Sequence, residues 1–211
     1  MPYPYPYTLF RRSAALLLCL LLALVAACTK QDQESQLAQQ EKNIDSFISG
    51  LINKNAATVV AYTPKSARII LDHGIGDTLA PKDPLAPDEP VVPGITVAPG
   101  DTVAFDYVGY VFSGGTGKGL PFATNVAEIV ESGEWALSAL PPDFGRNVAG
   151  RGYFIPGLDS GLLGMYLGEH AYIVFSARHG FGNTEMGVIP KMSPLLFEIY
   201  VKEIIKKPES D

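Results

Sequence analysis

The spacing of apolar residues predicts an α+β fold built on an antiparallel β-sheet. Several short segments alternate apolar and polar residues, which is typical of strands that bury one face. One short helical segment lies among them, and strands and helices do not alternate as they would in a parallel βαβ sheet. A longer amphipathic segment comes before the strands and predicts an N-terminal helix.

Length and composition limit the classes of protein to which the chain can belong. It has 211 residues, 47% of them apolar and 18% charged, enough for one domain with a sizeable core. The net charge of −6 argues against a basic nucleic-acid-binding surface, so no nucleic acid partner is expected. Two cysteines, Cys19 and Cys28, and three scattered histidines predict neither a disulfide scaffold nor a metal site.

Residues 1–27 have the pattern of a secretory signal peptide. Arg11 and Arg12 precede an uncharged, Leu-rich run at 14–27, which is shorter than the roughly 20 residues of a membrane-spanning helix. The ending Val25-Ala26-Ala27-Cys28 resembles a bacterial lipobox, in which the cysteine becomes the acylated first residue. We therefore expect a lipid anchor on Cys28 in the cell envelope, at the outer membrane of a Gram-negative bacterium. The alternative is an ordinary signal peptide with an incidental cysteine.

Residues 28–62 are expected to form a polar tether and an amphipathic helix. Apolar side chains recur at helical intervals and predict a helix over about 34–53; they are Leu37, Ile44, Ile48 and Leu51. This helix could pack on its own domain, space that domain from the membrane, or pair with a second copy in a homodimer. We expect it to be dispensable for folding, so that a chain starting near Tyr62 still folds.

Residues 63–211 form the predicted folded domain. A strand is expected at 66–72, and prolines at every third position predict an extended Pro-rich insertion at 80–94. In the strand that follows, Val103, Phe105 and Tyr107 fall on one face.

The second half of this domain contains the short helix and two further strands. Ile155-Pro156-Gly157 leads into the helix, and residues 171–176 predict a buried strand. A long loop punctuated by glycine and proline follows at 177–194. The last strand is the clearest, because apolar and charged residues alternate from Leu195 onward.

A series of motifs occurs in a fixed order along residues 95–206. In chain order they are Pro99-Gly100-Asp101-Thr102-Val103, Tyr107-Val108-Gly109, Phe154-Ile155-Pro156-Gly157-Leu158, Gly161-Leu162-Leu163-Gly164-Met165, Gly168-Glu169-His170-Ala171, Gly180-Phe181-Gly182, Val188-Ile189-Pro190 and Leu195-Leu196-Phe197-Glu198-Ile199. Each motif alone is a weak signal. Their order and spacing together resemble an FKBP-type peptidyl-prolyl cis-trans isomerase.

That resemblance implies a twisted antiparallel sheet wrapped around a short helix, with an apolar bowl between helix and sheet as the active site. By position, the residues that would line the bowl are Tyr107, Phe122, Phe154, Ile155, Leu158, Phe181, Ile189 and Phe197. The backbone N–H of Ile155 would hold the carbonyl that precedes a proline. Proline-containing polypeptides would be the partners, and no cofactor or metal would take part. Taken singly, aromatic residues at alternating strand positions, such as Phe197 and Tyr107, are better explained as core, and only the ordered set of motifs favours pocket lining.

The chain departs from the family pattern in three places that bear on activity. Ala123 stands where the family has a pocket-edge carboxylate, unless Asn125 or Asp143 substitutes for it. Leu158 replaces a tryptophan of the pocket floor, and Phe181 replaces a tyrosine that hydrogen-bonds ligand carbonyls. Phe144 is the nearest candidate for a second loop aromatic. The pattern therefore predicts an isomerase of weak activity that assists folding in the envelope, or else a chaperone or binding module that holds apolar or proline-containing segments.

Overall fold

The computed structural model describes residues 7–73, 94–127, 129, 144–150 and 155–208, with the side chains of residues 7–29 and 147 left out. Phe154, Asp143 and almost all of the Pro-rich insertion predicted at 80–94 lie outside this range. The chain divides into two compact units, Met1–Gln39 and Gln40–Asp211. Within the described residues, no helix is long and apolar enough to cross a membrane.

The N-terminal helix, α1, spans Tyr7–Lys54. Its end agrees within one residue with the helix predicted over 34–53. Its start lies much earlier, because the Leu- and Ala-rich run that precedes Cys28 also consists of strong helix formers. Residues Tyr7–Gln39 of this helix make up the described part of the first unit, and the remainder of the helix belongs to the second.

The second unit is built on seven strands within the described residues. They are β1 (Val59–Tyr62), β2 (Ala67–Asp72), β3 (Thr102–Ser113), β4 (Gly117–Thr124), β5 (Arg146–Val148), β6 (His170–Phe175) and β7 (Leu195–Ile205). Their order in the sheet is β1-β2-β6-β7-β3-β4, and β5 also pairs with β3. Every pairing is antiparallel, which confirms the predicted sheet type.

The inner face of the sheet carries the main hydrophobic core. Val103, Phe105 and Tyr107 of β3 are all buried, as their alternation predicts. In β7, Phe197 and Ile199 are fully buried on the same face. The short helix α2 (Pro156–Leu162) packs against this face, with Leu158 and Leu162 inaccessible to solvent. The expected α+β arrangement, a sheet around one short helix after an N-terminal helix, is therefore present.

The outer face carries a second, smaller core in which α1 takes part. Ile44, Phe47 and Ile48 of α1 are buried in one cluster with the outward-facing side chains of the sheet. The sheet residues of that cluster are Ala67, Ile69, Phe112, Val174 and Leu196. The ring of Phe47 meets that of Phe112 edge-on at 5.4 Å between centroids.

This packing argues against the expectation that the helix is dispensable, an expectation that a chain starting near Tyr62 would test. The predicted boundary at residue 63 falls inside the second unit, which begins at Gln40. Strand β1, which precedes that boundary, is hydrogen-bonded to β2 along its whole length. The physical reason is that β6 and β7 carry apolar side chains on both faces near one end, so the outer face there needs a cover.

Candidate functional site

A cluster of aromatic side chains, called the bowl below, lies on the inner face of the sheet and is centred on Phe197 of β7. Four other rings surround it, and all are buried. The centroid distances from Phe197 are 5.5 Å to Phe122, 5.9 Å to Phe144, 6.1 Å to Phe175 and 6.3 Å to Tyr107. Phe122 approaches edge-on, whereas Phe144 and Phe175 stack. Such offset and edge contacts are the favoured geometries of aromatic pairs.

A glycine on β3 makes room for these rings. Gly109 is the register partner of Phe197 across the β3–β7 ladder. A Cβ at this position would lie 2.6 Å from the ring of Phe122 and 3.2 Å from that of Phe197. The glycine of the Tyr107-Val108-Gly109 motif is therefore a steric requirement of the bowl.

The short helix forms the opposite wall. Ile155 is the N-cap residue of α2 and Leu158 lies in its first turn; both are buried in the same core cluster as Phe197. The helix packs so close to β6 that a Cβ at Gly157 would collide with the ring of Phe175, and a Cβ at Gly161 would collide with Ile173. The two glycines, one helical turn apart, let α2 approach the sheet closely enough to form the bowl.

A buried ion pair fixes the other end of α2. Arg68 of β2 donates from Nη1 to the carbonyls of Gly161 and Leu163, at 3.1 and 2.9 Å. Its Nε lies 3.0 Å from Oε1 of Glu169, a fully buried carboxylate whose Oε2 accepts the N–H of Tyr166. A cation at the C-terminus of a helix satisfies its last carbonyls and complements its dipole. Arg68 thus connects α2 to the sheet and keeps the helical wall in place.

The segment 177–194 forms the rim of the bowl and is called the rim loop below. It begins with a 3₁₀ turn at Ala177–His179. Phe181 is half-buried and packs against the core cluster, and Ile189 is 1% exposed within it. Met186 and Ile189 exchange backbone hydrogen bonds of 2.9 and 3.0 Å, which turns Ile189 inward at the tip of a tight loop.

The structure brings the described members of the predicted site together. Six of them are buried in one cluster, namely Tyr107, Phe122, Ile155, Leu158, Ile189 and Phe197, and Phe181 packs against it. Phe154 lies outside the described residues. The sequence assigned no firm place to Phe144, whose ring lies 4.9 Å from that of Tyr107. Its position just before β5, which pairs with β3, explains how it reaches the bowl.

Asn125 holds the backbone of β3 behind Tyr107. Its Oδ1 accepts the N–H of Tyr107 at 2.8 Å, and its Nδ2 donates to the carbonyl of Phe105 at 3.0 Å. Thr124 adds a hydroxyl bond of 2.7 Å to the carbonyl of Tyr107. With both amide atoms bonded to β3, Asn125 positions Tyr107 and does not substitute for the family's pocket-edge carboxylate.

The chemistry available in the bowl is apolar. Burial raises the pKa of Tyr107 to about 12, so its hydroxyl stays neutral at physiological pH. The buried carboxylates of the described residues have other partners: Asp101 pairs with Lys206, Asp159 accepts the N–H of Gly150, and Glu169 pairs with Arg68. None of these three carboxylates is therefore poised for acid–base work in the bowl. The arrangement suits a reaction that needs a dry surface and no proton transfer.

Comparison with known proteins agrees with this geometry. Residues 146–202 match the family model for FKBP-type peptidyl-prolyl cis-trans isomerase. That range runs from β5 through α2 and β6 into β7, and so contains the helical wall, the rim loop and Phe197. It supports the presence of an FKBP-type peptidyl-prolyl isomerase domain in this chain.

Individual relatives match a shorter stretch. Proteins named peptidyl-prolyl cis-trans isomerase FKBP9 from Rattus norvegicus, Mus musculus and Homo sapiens are each 46% identical over 52 residues, which is 25% of this chain. The match spans only 9% of the length of these relatives. A crystal structure of the three FKBP domains of wheat FKBP73 aligns with 71% of this chain and 50% of its own, at 16% identity and a TM-score of 0.47.

Proposed function

We propose that the chain catalyses cis-trans isomerisation of Xaa-Pro bonds in polypeptides. The observation that carries this proposal is the bowl itself: Phe197 and the four aromatic rings around it, closed by α2 on one side and by the rim loop on another. The match of residues 146–202 to the isomerase family supports it.

The physics of the reaction explains why an apolar bowl suffices. Rotation about a peptide bond breaks amide resonance and meets a barrier of about 18–20 kcal/mol, and for Xaa-Pro bonds the uncatalysed step takes tens to hundreds of seconds. Water stabilises the planar, dipolar amide more than the twisted, less polar one. A dry aromatic surface removes that preference and so favours the twisted state relative to the planar one.

Orientation supplies the second contribution. The walls formed by Tyr107, Phe122 and Phe197 would hold the proline ring. The backbone N–H of Ile155, at the N-cap of α2, would hold the preceding carbonyl. Fixing both sides of the bond lowers the entropic cost of reaching the twisted geometry.

A second candidate is a holding chaperone or binding module that uses the same bowl. The observation that favours it is the apolar side chain of Ala123, which lies in the bowl cluster where the family has a carboxylate. Leu158 and Phe181 likewise present no polar group to a bound peptide. Each missing hydrogen bond to a ligand costs about 0.5–1.5 kcal/mol, so catalysis would be weak while apolar binding persists.

An exchange experiment tests the proposal and separates the two candidates. The rate of cis-trans exchange in a short Xaa-Pro peptide is followed by NMR with the wild-type protein, with Ala123→Asp and with the neutral control Ala123→Asn. For an isomerase lacking its carboxylate, we expect measurable catalysis in the wild type and higher kcat/KM in Ala123→Asp only. Peptide binding without catalysis in all three proteins would decide for the holding function.

We also propose that the protein works in the bacterial cell envelope, held by lipid on Cys28. Support comes from the order of residues 11–28, in which two arginines are followed by an apolar run and then by small residues. The end of this segment also resembles a lipobox. Cys28→Ser should release the protein from the membrane fraction after signal removal, and full membrane retention would contradict the proposal. A homodimer through α1 would need helix residues other than Ile44, Phe47 and Ile48, which pack on the chain's own sheet.

A further inference from the structure

Gly182 links the two ends of the rim loop through backbone hydrogen bonds. Gly182 donates to the carbonyl of Ala177 at 3.0 Å, and Met192 donates to the carbonyl of Gly182 at 2.8 Å. Met192 has a φ of 55°, a left-handed conformation that non-glycine residues seldom adopt. A strained backbone of this kind persists only when its surroundings hold it.

One side chain of α1 bridges the two ends of this loop. Oε1 of Gln40 accepts the N–H of Ala177 at 2.9 Å, and Nε2 of the same amide donates to the carbonyl of Met192 at 2.6 Å. The two partners lie 15 residues apart in the chain and 137 and 152 residues from Gln40. At neutral pH a carboxamide offers an acceptor and a donor side by side, whereas a carboxylate only accepts, so the partners determine both the residue type and the orientation of the amide.

We propose that Gln40 is a positioning residue for the proline site. Its amide fixes the base of the rim loop and, through the loop, the placement of Ile189 in the bowl and of Phe181 at its edge. This inference rests on the proposed isomerase function for its effect on substrate. Gln40 lies outside the residues that match the isomerase family, so the device belongs to the N-terminal helix of this chain.

The rim loop needs this bridge from Gln40, called the clamp below, because the backbone of the loop can adopt several conformations. Gly182 and Gly187 both have positive φ, at 57° and 58°. Glycine at these positions gives the loop many alternative backbone conformations when it is not held in place. Surface loops open locally at a lower cost in free energy than the strands of a core. Removing the clamp should therefore loosen the loop without unfolding the sheet.

The test compares four full-length proteins: wild type, Gln40→Ala, Gln40→Glu and the control Ser46→Ala. Ser46 lies on the exposed side of α1, and among the described residues its hydroxyl bonds to the carbonyl of Lys42, within its own helix. Amide hydrogen exchange over residues 178–194 reports the loop, and kcat and KM on an Xaa-Pro peptide report the site. In Gln40→Ala we expect loop exchange to quicken about tenfold and KM to rise about fivefold to tenfold, with kcat changed less than twofold, as the loss of two hydrogen bonds implies. Ser46→Ala should match the wild type.

Gln40→Glu provides a readout that a merely structural residue would not give. At neutral pH its carboxylate cannot donate to the carbonyl of Met192, but a protonated glutamic acid has both a donor and an acceptor. The ratio of its KM to that of the wild type should fall toward one as the pH drops below about 5, near the usual range of glutamate. The ratio is used because the charged groups near the clamp, Glu41, Lys65, Arg178 and His179, are the same in both proteins.

Three outcomes overturn the inference or separate it from the proposed function. Equal exchange over residues 178–194 in Gln40→Ala and wild type would overturn it. So would a lower melting temperature with KM unchanged, because Gln40 would then serve stability alone. If the wild type binds the peptide but does not isomerise it, the proposed function fails, and the loop exchange and the peptide Kd of Gln40→Ala still decide the role of Gln40.

Discussion

Replacing Ile48 by alanine should destabilise the whole second unit, although Ile48 lies in the N-terminal helix and on the opposite face of the sheet from the bowl. Its side chain is 1% exposed and packs against the outer face of the sheet. Ile52 lies one helical turn further on and is 39% exposed. The pair therefore offers the same substitution in the same helix at a buried and an exposed position.

The expected difference follows from burial. Truncating a buried isoleucine to alanine removes transfer free energy and leaves a cavity, at a cost of about 2–5 kcal/mol. At the half-exposed position of Ile52 much of that side chain is already in water, so the cost should stay below about 1 kcal/mol. Alanine favours the helix by a few tenths of a kcal/mol in both variants, and this contribution cancels in the comparison.

Urea unfolding followed by far-UV circular dichroism measures both variants against the wild type. We expect Ile48→Ala to lower the free energy of unfolding by at least about 2 kcal/mol, equivalent to a melting temperature lower by about 5–15 °C. Ile52→Ala should lie close to the wild type. Equal transitions for all three proteins would show that α1 does not belong to the folded unit and that a chain starting near Tyr62 is complete.

Three further predictions concern the inner face. Phe197→Ala removes the central ring of the bowl and should lower the free energy of unfolding by about 3–5 kcal/mol in urea titrations. Gly157→Ala places a Cβ against the ring of Phe175, so α2 must shift; we expect a loss of about 1–3 kcal/mol and a fall in kcat/KM on an Xaa-Pro peptide. Burial alone would raise the pKa of Asp101, but hydrogen bonds from Lys206 Nζ and the backbone outweigh it and lower that pKa. This carboxylate thus stabilises the fold above its unfolded pKa of about 3.9 and loses that contribution as pH falls through the folded value, so Asp101→Asn should be less stable than wild type at pH 7 and the two should converge in acid.

The strands of the inner face could be predicted because their signal is local. In β3 and β7 every second residue is apolar, and one buried face produces that period regardless of which strand lies alongside. Strand β1 gave no such signal. It has four residues, three half-buried and one exposed, and among the described strands it pairs with β2 alone.

The docking of α1 could not be predicted, because an amphipathic stripe shows that a face is buried but not what buries it. The partners of Ile44 and Ile48 include Val174 and Leu196, which lie more than 120 residues further along the chain. The unbroken apolar run of β6 did indicate burial on both faces of the sheet. The sequence of β6 did not indicate that the element covering the outer face belongs to the same chain.

The bowl residues came from ordered motifs, and the structure adds the contacts that motifs do not contain. Gln40 bridges Ala177 and Met192, which lie 137 and 152 residues from it, and Phe144 stacks on Phe197 from a position just before β5. Neither contact produces a periodic pattern or a fixed spacing in the sequence. Each depends on which elements meet in space, which is set by the sheet order.

The two faces of the sheet are not independent, because neighbouring residues of one strand serve both. Leu196 packs under α1 on the outer face while Phe197, next in the chain, forms the centre of the bowl. Val174 and Phe175 divide in the same way in β6. Protein interiors are close-packed and transmit small displacements, so a change in how α1 sits on the outer face moves the backbone that carries the aromatic rings. The N-terminal helix therefore acts on the bowl by two routes, through the strands beneath it and through Gln40 at the base of the rim loop.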